Sequence, residues 1–221
     1  MPTRINESGP GLRACGHAHP GVEPRFIVLT GGPGAGKTAV LGIARQRFCR
    51  HVLVLDEAAS ILFGGGFPRK DDPQARRAAQ RAIYHIQVEL EAVANSEEAC
   101  VVLCDRGTLD GLAYWPDGSE SFFDQLMTTP QRELGRYAAV IHLRTPAPEH
   151  YSQENPLRVE SAQRALEIDR RILEVWSGHP NRLVVEGEID FIAKAENALA
   201  LVESALPPCC RHRLEPQAVE G

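Results

Sequence analysis

The stretch at residues 25–38, RFIVLTGGPGAGKT, constrains the fold of this chain more than any other. Residues 26–29 form a short apolar run rich in branched side chains, the composition of a strand buried on both faces. The run breaks at Gly31, Gly32, Pro33 and Gly34, and the sequence resumes as AGKTAVLGIARQRF, a helical pattern. Strand, glycine loop and helix in that order give the spacing G-x-x-x-x-G-K-[ST] its meaning, met here by Gly31, Gly36, Lys37 and Thr38.

Such a loop suits a chain of phosphates. Consecutive backbone N–H groups must wrap the anion, which requires residues without a Cβ at Gly31, Gly32, Gly34 and Gly36. The helix that follows turns its free N–H groups and positive dipole end toward the same point. Lys37 adds a mobile cation for the outer phosphates and Thr38 a hydroxyl for Mg²⁺. Pro33, Ala35 and Ala39 complete the segment expected to contact nucleotide. Lysine is otherwise sparse: Lys70 and Lys194 are the only others, so Lys37 is not background.

At 221 residues the chain is long enough for one domain with a full core. A net charge of -5 without a dense basic run argues against nucleic acid as a main partner. No apolar run approaches a membrane span and no signal-peptide pattern opens the chain, so a cytoplasmic protein is expected. Six cysteines are present, but their spacing fits neither a disulfide framework nor a zinc motif. Cys100 and Cys104 bracket an apolar strand; Cys15 with His17 and His19, and Cys209 and Cys210 with His212, lie in terminal segments with no second CxxC.

In chain order, residues 1–24 hold little that could pack and are read as a disordered leader. Residues 52–55 are a second buried strand, with Asp56 and Glu57 at its carboxyl end, where open α/β sheets place ligand chemistry. After a glycine-rich loop at 64–73, a helix is predicted over 72–95 with Ala75, Ala79, Ala82, Ile86, Leu90 and Val93 buried; Arg76, Arg77, Gln80, Arg81 and Gln87 form its polar flank. Residues 99–107, ACVVLCDRG, are a third strand ending in Asp105 and Arg106. An acid directly after a buried strand is what a Walker B position requires, to hold Mg²⁺ beside the phosphate loop.

Residues 108–118 begin a helix and then turn, and 120–127 form another short helix. Residues 137–144 are a fourth strand, 145–156 a proline-marked loop, 157–177 a long helix, 182–187 a fifth strand, 190–206 a closing helix and 207–221 a loose tail. Strands alternating with helices at this spacing predict an α/β fold, a P-loop NTPase domain over 25–206 with a five-stranded parallel sheet covered on both faces. Arg158, Arg164, Arg170 and Arg171 follow the loop where P-loop kinases keep a lid. Arg158 and Arg164 are the candidates to reach a transferring phosphate, against the plainer possibility that Glu160–Arg164 and Glu167–Arg171 pair on a solvent face.

With DEAA, CDRGTLDGLAYW and ENPLRVESAQRALEIDRRILEVWSGHP also in view, residues 25–205 resemble the NadR-type AAA/P-loop kinase family. That AAA domain is shared by the NadR ribosylnicotinamide kinase and a eukaryotic GTP- and phosphoinositide-binding trafficking protein. The resemblance implies that Gly31 to Thr38 bind nucleotide and that Asp105 assists Mg²⁺. It also implies that Arg106 faces phosphates or substrate, and that Glu57 holds the position of a general base in related nucleoside kinases. The further domains of both relatives are missing from the sequence, so the acceptor is unassigned.

The expected activity is phosphoryl transfer from Mg·ATP to a small hydroxyl-bearing metabolite such as a nucleoside or riboside. ATP is preferred over GTP because no N/T-K-x-D element follows a late strand; RKDD at 69–72 is misplaced for one. The alternative is an ATPase or GTPase switch signalling through loop order, with no acceptor. A kinase should wall an acceptor pocket with Glu57, Arg106 and the Gln80 helix. Oligomeric state is open.

Overall fold

The computed structural model describes residues 18–19, 21–147, 161–187 and 190–211. Five strands form one parallel sheet: β1 (Arg25–Thr30), β2 (Val52–Leu55), β3 (Val101–Asp105), β4 (Ala139–Leu143) and β5 (Arg182–Val185), in the order β2-β3-β1-β4-β5. β1 lies at the centre, with Ile27 opposite Leu103 on one side and Ala139 on the other. All five carboxyl ends therefore emerge on one edge.

Period-2 alternation divides the core into two layers. Ile27, Leu29, Val101, Leu103, Ile141 and Leu143 face α1 (Lys37–Arg47) and a later helix, Phe191–Ala205. Val28, Val102, Cys104 and Val140 face the other way, onto Ile168, Ile172 and the fully buried Trp176. The run of apolar residues in each strand is thus explained by helices on both faces.

The remaining helices are α2 (Ala58–Gly64), α3 (Pro73–Ala94), α4 (Ser119–Leu126), α5 (Pro130–Leu134), α6 (Ala162–Val175) and α7 (Phe191–Ala205). The Asp72 carboxylate caps α3, accepting from Ala75 N–H at 2.9 Å, with Pro73 in the first turn where its missing N–H costs nothing. Asp190 caps α7 in the same way.

Four sequence expectations are corrected. The inner face of α3 carries Ala79, Tyr84, Gln87, Glu91 and Ala94, while Val93 is 47% exposed. A carboxylate can occupy that face because Glu91 accepts from Gln87 at 2.9 Å, from the Tyr137 hydroxyl at 2.7 Å and from Arg136. Of the helix expected over 157–177, residues 157–160 lie outside the described residues and α6 covers Ala162–Val175, where Ser161 Oγ accepts the N–H of Arg164 and satisfies a leading donor. Residues 108–114 are a 3-10 helix, Thr108–Tyr114, drawn tight by the N–H of Gly107 donating to Asp110. The expected loose tail includes a 3-10 turn at Pro208–Cys210, with Cys210 buried in the first core layer.

Among the described residues no helix is long and apolar enough to cross a membrane.

Candidate functional site

β1 delivers the glycine loop to the carboxyl edge of the sheet. Gly31 has φ 138°, and a Cβ there would lie 2.0 Å from the carbonyl oxygen of Leu143, so the chain can leave β1 only through glycine. The loop is then pinned from outside. Thr145 Oγ1 donates to the carbonyl of Pro33 at 3.1 Å, and Gly32 N–H donates to Asp169 Oδ1 at 3.0 Å. Lys37 Nζ folds back onto the carbonyls of Gly31 and Gly32, at 2.9 and 3.1 Å. Gly36 occupies the N-cap of α1 and no side chain caps that helix, which leaves its leading N–H groups for another acceptor. Gly34, Ala35, Thr38 and Ala39 complete the loop and the first turn, with Thr38 and Ala39 exposed.

Lys37 is buried, and its ammonium is pushed down to about 8, by burial first and then by the guanidinium of Arg106. Asp105 is pushed up to about 6, again chiefly by burial, with Glu57 and Asp110 adding to it and Lys37 and Arg106 opposing. Its Oδ1 is buried without a hydrogen-bond partner among the described residues. Thr38, Asp105 and Glu57 line one cleft of about 380 Å³ with Leu41, Arg45, Asp56, Ser60 and Ile61. A hydroxyl beside an unsatisfied carboxylate is a hard-oxygen donor set, and it fits Mg²⁺.

Arg106 takes the left-handed backbone conformation, φ 71°, unusual for a residue with a Cβ. That turn sends its side chain back over the loop. Its Nε donates to Glu57 Oε1 at 2.6 Å, and its Nη1 reaches the carbonyl of Gly31 and Asp110 Oδ1, both at 3.3 Å. Glu57 sits at the N-cap of α2, yet its side chain makes no capping bond. It instead accepts from Arg106 and from Ser60 Oγ, the latter at 2.5 Å. Burial pulls the Glu57 carboxyl up, but Arg106 and Ser60 outweigh it, so the group stays below its ordinary value.

Two acids that sequence reasoning passed over organise this edge. Asp110 accepts from Thr30 Oγ1, from Gly107 N–H at 2.9 Å and from Trp176 Nε1 at 3.2 Å, besides Arg106. Asp169, fully buried on α6, accepts from Gly32 N–H, Thr145 N–H at 3.3 Å, Arg144 Nε at 2.7 Å and His142 Nε2 at 2.9 Å. The signal for Asp169 was its place on the apolar stripe with Ala165, Ile168 and Ile172. An acid on a buried stripe must have partners.

Among the described residues, the side chains of Arg164 and Arg171 pair away from the loop. Arg164 is exposed and pairs with Glu167 at 2.6 Å, and Arg171 pairs with the same carboxylate at 2.7 Å. Arg158 and Glu160 lie outside the described residues. The cleft holding Glu57 opens between α1 and α2. Arg106 and Gln80 stand outside its lining. A larger cavity of about 860 Å³, lined by His19, Glu23, Asn95 and Glu98, lies at the opposite edge and has no part in this site.

A family model described as an AAA domain matches residues 26–191. Among solved structures, that of a thymidylate kinase from Candida albicans is similar in fold, with a TM-score of 0.57 at 13% identity over 82% of this chain and 92% of that one. No curated protein matches the sequence.

Proposed function

The chain belongs to the AAA-domain family, and on that premise we infer that it is a phosphotransferase that moves the γ-phosphoryl group of ATP to a small hydroxyl-bearing acceptor of the nucleoside or riboside class. The observation that carries this reading is the shared cleft. Thr38 from the phosphate loop, Asp105 from β3 and Glu57 from the end of β2 line one cleft at the sheet edge where no side chain caps the leading N–H groups of α1. The likeness of fold to a thymidylate kinase is consistent with it.

In this reading the loop from Gly31 to Thr38 binds the β- and γ-phosphates, and Lys37 leaves its two carbonyl partners to take up phosphate oxygens. Thr38 and Asp105 would hold Mg²⁺, which would neutralise the negative charge developing on the transferring phosphoryl group. Glu57, kept ionised by Arg106, accepts a hydrogen bond from the acceptor hydroxyl and aligns its oxygen with the phosphorus. The new O–P bond forms as the bond to the β–γ bridging oxygen breaks, and ADP leaves. A low-lying carboxylate suits a loose transition state, in which the acceptor's proton passes to Glu57 late, as the O–P bond forms, and from there to solvent. Arg106 steadies Glu57 and the loop.

The ribosylnicotinamide-type acceptor suggested by the sequence resemblance belongs to this proposal. A panel of nucleosides and ribosides incubated with Mg·ATP, with ADP and phosphorylated product both measured, tests it. Product from a member of the panel, lost in Asp105→Asn, supports the reading. ADP release that no panel member stimulates, with no phosphorylated product, favours the hydrolytic alternative.

A further inference from the structure

At the amino edge of the sheet, opposite the phosphate loop, three distant parts of the chain bring soft donors together. His19 precedes β1, Cys49 and His51 occupy the turn between α1 and β2, and Cys209 and Cys210 follow α7. Cys210 Sγ lies 3.4 Å from His19 Nε2 and 3.4 Å from His51 Nδ1. The donor atoms of these three residues all fall within 4.8 Å of one another, the only such group of metal-binding side chains among the described residues. Two more thiols flank them. Cys209 Sγ is 3.4 Å from His19 Nε2 and 3.9 Å from Cys210 Sγ, and Cys49 Sγ is 3.6 Å from His51 Nδ1.

We propose that His19, His51 and Cys210, completed by the thiolate of Cys209 or Cys49, form a structural binding site for Zn²⁺. The distances carry the argument. With Zn–S near 2.3 Å and Zn–N near 2.05 Å, the edges of a tetrahedral site are roughly 3.5 Å for S···N and roughly 3.8 Å for S···S. With Cys209 as the fourth ligand, four of the six edges measure 3.4, 3.4, 3.4 and 3.9 Å, close to those values; Cys49 instead offers an edge of 3.6 Å to His51.

The chemistry agrees. Two imidazoles with two thiolates form a soft-to-borderline set that selects Zn²⁺ over Mg²⁺ or Ca²⁺, which want oxygen. On binding, the two thiols release their protons, and Zn²⁺ with two thiolates is then neutral. A neutral complex suits the buried surroundings of His51 and Cys210 better than an isolated cation would. The backbone is firm where it matters, since the carbonyl of His51 accepts from Cys100 N–H at 2.9 Å and Val101 N–H at 3.1 Å.

A metal here would clip the segments before β1 and after α7 to the amino ends of the strands. Sequence spacing gave no metal motif around His19 or around Cys209 and Cys210, because the donors come from positions 19, 49–51 and 209–210 and no local spacing joins them. The site is independent of the phosphate loop.

The test uses the untagged full chain, purified under a non-thiol reductant. Zinc content and Zn²⁺ titration are measured for wild type, His19→Ala, Cys210→Ser, Cys49→Ser and Cys209→Ser, with Co²⁺ as a spectroscopic stand-in. The expected result is about one Zn²⁺ per chain and a tetrahedral Co²⁺ spectrum with thiolate charge-transfer bands. Zn²⁺, unlike Mg²⁺, should raise the melting temperature of wild type. His19→Ala and Cys210→Ser should lose stoichiometric uptake, and one of the two flanking variants should weaken it. His19 lies outside the apolar core, so His19→Ala should still melt cooperatively and shows the loss to be one of binding. A wild-type chain that takes up no stoichiometric Zn²⁺, or equal uptake by wild type, His19→Ala and Cys210→Ser, overturns the proposal.

Discussion

Arg106 Nε and Glu57 Oε1 lie 2.6 Å apart, joining the end of β3 to the start of α2 directly over the phosphate loop. The arginine reaches there only because its backbone adopts φ 71°, a conformation that costs about 1 to 3 kcal/mol in a residue with a Cβ. Glu57 is thereby kept charged and aimed, and it contributes nothing to capping α2.

Glu57→Gln should therefore separate activity from stability. An aligning or proton-accepting carboxylate is worth about 10² to 10⁴ in rate, or about 3 to 5 kcal/mol, and that should be lost from the transfer step. ATP affinity should change little. The unfolding midpoint should fall by no more than about 1 to 2 kcal/mol, since the amide oxygen can still accept from Arg106 or Ser60. Full turnover in the variant would remove Glu57 from the mechanism.

Nucleotide binding is tested by melting. Ligand at 100 times its Kd adds about 2.7 kcal/mol, roughly 5 to 10 °C for a domain of this size. Mg·ATP should raise the wild-type midpoint by that order, and Lys37→Ala should remove most of the rise. A midpoint unmoved by millimolar Mg·ATP and Mg·GTP would refute the phosphate-loop assignment.

Asp105 gives a pH signature. Its folded-state pKa of about 6 is above the ordinary 3.8, so between those values the native state holds more protons than the unfolded one. Stability from this group is present below pH 3.8 and is lost as pH rises through 6. Asp105→Asn should then be more stable than wild type above that window, by up to about 3 kcal/mol without ligand, and equal to it near the lower end. It should also abolish Mg²⁺-dependent turnover. Denaturant midpoints of the two proteins that run parallel from acid to neutral pH would contradict a carboxyl pushed up by burial.

Asp169 joins α6 to the phosphate loop. Asp169→Ala would leave Arg144, His142 and the N–H of Gly32 without their shared acceptor, a loss of about 3 to 5 kcal/mol. Asp169→Asn keeps one acceptor oxygen and should cost less, while weakening ATP binding through the displaced loop. Wild-type stability and affinity in both variants would show the contacts to be incidental.

Arg164 makes the opposite case. Its pair with Glu167 is exposed, so Arg164→Ala should leave the unfolding midpoint essentially unchanged. A fall in the transfer rate by tenfold or more would bring it back to the lid role that its sequence position suggested.

Much of this fold was legible in the chain. The strand, glycine loop and helix at 25–47 were readable because a steric requirement at Gly31 and a periodic apolar pattern both act over neighbouring residues. The ends of α3 were legible for the same reason, since Asp72, Pro73 and Asn95 act locally. The inner face of α3 was not. Placing Glu91 inward depends on Arg136 and Tyr137, some 45 residues away, which supply the partners a buried carboxylate needs.

The doubly covered parallel sheet and the carboxyl edge where Lys37, Thr38, Glu57, Asp105 and Arg106 gather follow from hydrophobic periodicity and glycine sterics, which are properties of consecutive residues. What those groups do to one another depends on how the folded chain packs them. Burial moved Lys37 and Asp105 toward neutrality, Arg106 claimed Glu57, and Asp110 and Asp169 emerged as the acids that fix the loop. It also brought His19, His51 and Cys210 together at the opposite edge. Desolvation and charge coupling depend on distances through space, and a sequence records only distances along the chain.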